Sequence, residues 1–214
     1  DYIFVDILNE NFIKKKRNRI ITDFFFKFCL SKLFIFDTVP KFSIAKIFSI
    51  PKNAILITPY IFNNNHNDSF IRLNGLKYYV FPKNLKKKTY LKINPKKILI
   101  TVGGSDDKNI LYTIIKNLSF KNTYQYKIII GPFFNKKYIQ KIEKIIKLLN
   151  NVTLVYQPNS LSKYFNWCDI VISASGLTKY EIAYSRIISI MFSIDADHHL
   201  INKDFEKLNS SLYI

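Results

Sequence analysis

The stretch ILITVGGSDDKN, residues 98–109, decides how this chain is read. Its first five residues are apolar or β-branched with no polar alternation. That pattern fits a strand buried on both faces of a parallel sheet. Gly103 and Gly104 end the run, Ser105 and Asp106 follow, and a helix is expected to start near Asn109 or Ile110. Glycines at such a junction let the backbone turn sharply and approach a ligand with no Cβ in the way. Two readings stand side by side. The helix start offers unpaired N–H groups and a positive dipole end to a phosphate, or the glycines merely make a tight turn that Ser105 or Asp106 caps. The spacing is neither GxGxxG nor a P-loop.

Outward from this junction, short apolar runs recur at residues 2–7, 33–36, 54–58, 127–130, 152–156, 170–173 and 188–194. Helical spacing falls between several of them. Ile110, Leu111, Ile114, Ile115 and Leu118 form one stripe. Ile139, Ile142, Ile145, Ile146 and Leu149 form another, on a helix whose far face carries lysines. Strands alternating with amphipathic helices imply parallel β-α units, so the fold class is α/β. Residues 63–95 contain NNNHND, two prolines and a lysine run, and read as loop or linker. We therefore divide the chain into residues 1–94, a partial first lobe with linker, and residues 95–214, a regular β-α succession. The first residues already read as a buried strand, and the expectation is a chain that begins partway through a fold.

Composition narrows the function classes. The 214 residues are 48% hydrophobic and carry 33 Lys and Arg against 15 Asp and Glu, a formal charge of +18. No apolar run reaches the about 18 residues that span a bilayer, and the start lacks the basic region of a signal peptide. A nucleic-acid binder concentrates its cations on one face, whereas here they are scattered. The readings in play are a solvated basic surface, attraction to anionic substrates, and contact of a peripheral kind with an acidic membrane surface. Nucleic acid is not expected as a partner. Cys29 and Cys168, the two cysteines, lie far apart in apolar surroundings, which suits reduced thiols of a cytoplasmic protein.

A second junction, ISASGLTKYEIA at residues 172–183, repeats the strand–small residue–helix pattern. Ser175, Gly176, Leu177 and Thr178 would present backbone N–H groups and hydroxyls at the helix start. Thr178 and Glu181 have the spacing of a capping box; alternatively, Glu181 accepts hydrogen bonds from a ribose diol. A third loop, SIDADHH at residues 193–199, follows another strand. Asp195 and Asp197 have the spacing of a metal-binding DxD, but short acidic loops after strands are common and no metal is expected. His198 and His199 are candidates to touch a ligand, and His66 is expected to face solvent. Phe24 to Phe26, Phe133, Phe134, Tyr156 and Trp167 read as core or interface packing. No Ser-His-Asp order, zinc spacing or paired-carboxylate motif stands out.

These motifs together resemble a known family. ILITVGGSDDKN resembles the ILVxFGGSDPxN turn of the UDP-2,4-diacetamido-2,4,6-trideoxy-β-L-altropyranose hydrolases of pseudaminic acid synthesis and their spore-coat polysaccharide relatives. KIIIGPFF resembles their VVxGPxF strand, and WCDIVISASGLTKYEIA their xADLAISAGGSTxxELA. DADHH sits where they carry xAxNQ. Upstream, DYIFVDIL, LFIFDT and GLKYYVFPKNL look like DxxIVDxxD, VxIDD and GxxYxxLRxEF. The similarity runs in order over nearly the whole chain.

The resemblance implies a glycosyltransferase-B fold: two Rossmann-like lobes with parallel sheets, the N-terminal one incomplete here, and UDP held mainly by the C-terminal lobe. The peptidoglycan N-acetylglucosaminyltransferases are similar at the second junction. By this carry-over Ser175, Gly176, Leu177 and Thr178 would hold the pyrophosphate and Glu181 the ribose. Backbone near Val155 and Tyr156 would meet the uracil, and Gly103, Gly104 and Ser105 would line the cleft between the lobes. The family's glycine-rich turn with its histidine, thought to activate water, has no match here, and His198 and His199 replace its Asn and Gln. The implied activity is hydrolysis of a UDP-sugar without metal or other cofactor. A glycosyltransferase and a degenerate nucleotide-binding module are the alternatives.

Overall fold

Parallel strands cannot be joined by tight hairpins, so each needs a crossover that covers one face of the sheet. The structure, a computed structural model, describes residues 2–6, 18–27, 32–37, 44, 48–60, 70–89, 92–174, 176–206 and 211–213. It divides into two compact units, Asp1–Val80 and Phe81–Ile214.

In the first unit, β1 (Tyr2–Asp6) leads through α1 (Asn18–Lys27) to β2 (Lys32–Phe36), β3 (Ile55–Thr58) and β4 (Ile71–Asn74). All four strands are parallel, in the order β1-β2-β3-β4. Alternate residues Val5, Leu33, Ile35 and Leu56 form a core with Phe25 of α1, Ile44 and Phe48. The buried Asp37 ties the carboxyl ends of these strands together. Its carboxylate accepts from Ile44 N at 2.6 Å and from Arg72 Nη1 at 2.7 Å, and Nη1 also donates to Thr58 Oγ1 at 3.1 Å. The sequence reading expected three strands here and a loop over residues 63–95. β4 corrects it: the alternation of Ile71 and Leu73 with Arg72 and Asn74 is only four residues long and partly exposed, too short to mark a strand until it pairs with β3. His66 lies outside the described residues, as does Cys29.

The second unit alternates strictly. β5 (Lys97–Thr101), α2 (Ile110–Asn117), β6 (Gln125–Ile130), α3 (Lys136–Ile146) and β7 (Val152–Tyr156) come first. Then follow α4 (Ser162–Trp167), β8 (Ile170–Ala174), α5 (Thr178–Tyr184), β9 (Ile188–Phe192), α6 (Ala196–Glu206) and β10 (Leu212–Tyr213). The six strands are parallel in the order β10-β9-β8-β5-β6-β7. One face packs Ile100, Ile128 and Ile130 against Leu111 and Ile115 of α2 and Tyr138, Ile142 and Ile146 of α3. The i, i+4 spacing of those helical residues puts them on one side of each helix. The intervening strand residues Leu99, Ile129, Val171 and Met191 are buried on the opposite face. Residues 81–94 belong to this unit. Phe81 stacks on Tyr184 with ring centroids 4.3 Å apart, Leu85 is buried, and Lys88 N donates to Ser185 O at 3.0 Å.

Candidate functional site

The strand order places β5, first in the unit, beside β8, fourth in the unit. The chain runs outward from β5 through β6 to β7, then returns to build β8, β9 and β10 on the other side. Connections therefore diverge at the carboxyl ends of β5 and β8, and such a point leaves a crevice where open α/β sheets take their ligands. Both glycine junctions sit there. Thr101 of β5 is in register with Ser173 of β8, so the turns that follow leave the same sheet edge side by side.

At the first junction Gly103 adopts φ +105° and looks onto open space. Gly104 O accepts from Phe133 N at 3.0 Å, which ties this turn to the one after β6. The closeness needs a third glycine: a Cβ on Gly131 would lie 2.3 Å from Gly104 O. The sequence reading left Gly131 aside, although a glycine at the end of a buried strand is a signal of close backbone approach. Phe133, expected in packing, is 78% exposed beside Gly104.

The N-terminus of α2 is already occupied. Asp106 accepts from Ile110 N and Leu111 N, both at 2.8 Å, and Tyr138 OH accepts from Tyr112 N at 2.9 Å while donating to Asp106 Oδ2 at 2.5 Å. Burial, together with the hydrogen bond to Asp106, raises the phenol of Tyr138 above its ordinary range. The expectation of free amides at this helix start is thus corrected. A carboxylate satisfies them, and the capping alternative is the one found. What remains for a ligand is the open backbone of the turn itself.

At the second junction α5 starts at Thr178, with Leu177 rather than Thr178 in the capping position. Thr178 is inside the helix, so it does not serve as the N-cap of a Thr178–Glu181 capping box. Gly176 looks onto open space and Leu177 is exposed. Glu181 lies on the first turn of α5, half-buried. Ser175 lies outside the described residues.

Behind this turn runs a chain of polar groups that the sequence did not disclose. The buried Lys179 Nζ donates to Asn202 Oδ1 at 3.1 Å, and Asn202 Nδ2 donates to Ser193 Oγ at 2.7 Å. Ser193 Oγ lies 2.7 Å from Tyr213 OH, which lies 2.5 Å from His199 Nδ1. The chain links α5, α6 and β10 and fixes the ring of His199 at the sheet's carboxyl edge. His198 is held separately by Asp195, whose Oδ1 accepts from His198 N and lies 2.8 Å from His198 Nδ1. The backbone N–H of His198 is the main cause that holds the Asp195 carboxyl below its usual value. The side chain of Asp197 is outside the described residues, and those residues contain no group of three metal-ligating side chains.

Lys108 was missed altogether. Its Nζ donates to Ile194 O at 2.8 Å, so its ammonium spans from the first junction past β8 to the end of β9. Tyr156 sits apart on the edge strand β7, where its hydroxyl donates to Glu143 Oε1 at 2.6 Å and, through burial and that carboxylate, is pushed up to about 12.

With this geometry in place, comparison with known proteins bears on the fold. No known family profile matches the chain. Over 113 residues it is 33% identical to the Helicobacter pylori protein named pseudaminic acid cytidylyltransferase and UDP-2,4-diacetamido-2,4,6-trideoxy-beta-L-altropyranose hydrolase; the match covers 53% of this chain and 20% of that protein. Among solved structures it resembles MurG of Acinetobacter baumannii, with TM-score 0.50 and 16% identity over 86% of this chain and 53% of that one. WaaG, a glycosyltransferase involved in lipopolysaccharide biosynthesis, gives TM-score 0.53 and 12% identity, covering 100% of this chain and 61% of that one. HepE of Anabaena, solved with UDP and glucose, gives 0.53 and 10% over 98% and 62%. The chain spans about a fifth of the curated relative and half to three-fifths of these structures.

The fold is therefore of the glycosyltransferase-B type, with two parallel-sheet α/β units.

Proposed function

We propose that this chain is part of an enzyme that binds a UDP-sugar at the carboxyl edge of its second sheet and hydrolyses it, releasing UDP from a deoxy-amino sugar. The observation that carries the reading is the pairing of two glycine turns on adjacent parallel strands at the point where the connections diverge. Open backbone at Gly103 and Gly176 suits a diphosphate, which needs donors at close range rather than a deep pocket. The name of the Helicobacter pylori relative supports the sugar class.

In this reading the turn of residues 175–178 receives the pyrophosphate, Glu181 accepts from the ribose diol, and Gly103, Gly104 and Ser105 line the sugar side. Lys108, absent from the sequence-based set, adds a cation that compensates the charge left on UDP. His198 and His199 present imidazoles at the same edge, and backbone near Tyr156 meets the uracil. Water gives its proton to a general base that is not among the residues named here and attacks the anomeric carbon, the bond from that carbon to the β-phosphate oxygen breaks, and UDP departs into the donors of the turn.

A second reading has support of its own, since the solved structures that share the fold include a named glycosyltransferase. There the sugar passes to an acceptor hydroxyl instead of to water. Calorimetric titration with UDP tests the binding, with a loss of about tenfold expected for Glu181→Ala, the scale of one charge-assisted hydrogen bond. Unchanged affinity in that variant, or no UDP binding by the whole protein, removes the proposal. Product analysis separates the two reactions: free sugar forms in water alone under the first, and only with acceptor present under the second.

A further inference from the structure

The opposite edge of the second sheet carries a surface that nucleotide binding does not use. Three connected recesses of about 300, 330 and 430 Å³ run along the amino ends of β5, β6 and β7. Lys87, Lys88, Lys92, Lys96, Lys97 and Lys127 line them, against the single carboxylate of Asp169. That carboxylate is already engaged: Asp169 Oδ1 lies 3.1 Å from Lys92 Nζ, and Oδ2 accepts from Lys96 N and Lys97 N at 2.9 and 3.0 Å. The edge is therefore strongly positive. Lysines near the carboxyl ends of helices, such as Lys116 and Lys144, are accounted for by the helix dipole. Those of residues 87–97 precede or open β5 and have no such explanation.

Apolar side chains project from the same edge. Ile93, between Lys92 and Lys96, is 96% exposed, and Leu148, in the loop before β7, is 85% exposed. Burying one such side chain is worth about 1.5–3 kcal/mol, so these two can add to the hold of a partner that the lysines attract. Their neighbours supply cations and uncharged amides, including Asn94, Asn122 and Asn150. Bilayers with anionic headgroups combine both demands: phosphates for the lysines, and an acyl boundary for short apolar tips. Nucleic acid is less suited. Trp167 is the one indole of the chain, and Lys127 Nζ lies 4.2 Å from its ring centroid, which covers the face a base would stack on. Among the described residues no helix is long and apolar enough to cross a membrane.

We propose that the amino edge of the second sheet docks on an anionic lipid bilayer, with headgroup phosphates in the lysine-lined recesses and Ile93 and Leu148 entering the interface. The carboxyl edge of the same sheet then faces away from the lipid, and the UDP turns stay open to solvent.

Co-sedimentation of the full chain with vesicles tests this, using 30% phosphatidylglycerol in phosphatidylcholine against pure phosphatidylcholine at 100 mM salt. At least tenfold stronger binding to the anionic vesicles is expected, since each lysine near the surface contributes about fivefold. Ile93→Ser with Leu148→Ser, which leaves the charge unchanged, should weaken that binding at least tenfold. Lys87→Gln with Lys92→Gln and Lys96→Gln should weaken it further and flatten its dependence on salt. Circular dichroism and urea unfolding verify that the variants are folded. Equal binding to both vesicle types, no binding to either, or an apolar double variant that still binds fully overturns the proposal. Complete displacement by single-stranded poly(dT), with the apolar variant unaffected, would assign the edge to polyanions instead. The proposal does not depend on the UDP reading, because absence of UDP binding leaves the vesicle result intact.

Discussion

Gly131 and Gly104 touch backbone to backbone: a methyl group on Gly131 would sit 2.3 Å from the Gly104 carbonyl oxygen and 2.5 Å from that of Gly103. The turn after β6 thereby supports the turn after β5 from behind. Gly131→Ala must displace the Gly103–Gly104 backbone, and overpacking of this kind costs about 1–3 kcal/mol. Urea unfolding should report a midpoint lowered accordingly. UDP affinity should fall as well, although Gly131 itself is not placed against the ligand.

Asp106 and Tyr138 together close the start of α2. Asp106→Ala should destabilise the second unit by about 0.5–2 kcal/mol, the ordinary range for a lost helix cap. Tyr138→Phe should cost about 1 kcal/mol. Because the two share one hydrogen-bond network, the double variant should cost less than the sum. Strict additivity in chemical unfolding would mean the network is not cooperative.

Lys108 reaches from the first junction to Ile194 O. If its ammonium faces the diphosphate, Lys108→Gln should weaken UDP about tenfold, since a hydrogen bond to a charged group is worth about 1.5–3 kcal/mol and about 1.4 kcal/mol is tenfold in Kd. Uridine, which lacks phosphates, should bind the variant and the parent equally. A parallel loss for uridine would place Lys108 elsewhere.

Asp169 links acid stability to the segment entering β5. Burial opposes its ionisation, but the amides of Lys96 and Lys97 and the ammonium of Lys92 prevail and hold it below its ordinary value of 3.8. A depressed folded value means the unfolded chain binds the proton more readily. The contribution is therefore complete above about pH 4 and is lost as pH falls through the lower folded value. Asp169→Asn should be less stable than the parent at pH 6, and the gap should narrow as pH falls below the ordinary value of 3.8. A gap that does not vary with pH would show that the carboxylate's charge plays no part.

Cys168 is fully buried and its thiol is pushed up to about 12, chiefly by burial. In a Cys29→Ser background, Cys168 should resist Ellman's reagent at pH 8 and react at once in 6 M guanidinium. Rapid labelling of the native protein would contradict its place in the core.

Much of this was legible along the chain. Runs such as ILIT and KIII carry the mark of strands covered on both sides, and the stripes on α2 and α3 follow from i, i+4 spacing. β4 was not legible, because IRLN becomes a strand only by pairing with β3. The same holds for the boundary region. Residues 81–94 read as linker, yet Phe81 and Lys88 fasten them to the second unit through Tyr184 and Ser185, about a hundred residues away.

The sequence by itself determined the α/β class, the two glycine junctions and the residues at their rims, because periodicity and glycine placement are local properties of a chain. Tertiary structure alone decided that β5 lies beside β8, that Asp106 closes α2, and that Lys108 reaches Ile194, Gly131 backs the first glycine turn and Tyr213 meets His199. Each of these depends on strand order and on contacts across the sheet, which no window of neighbouring residues contains.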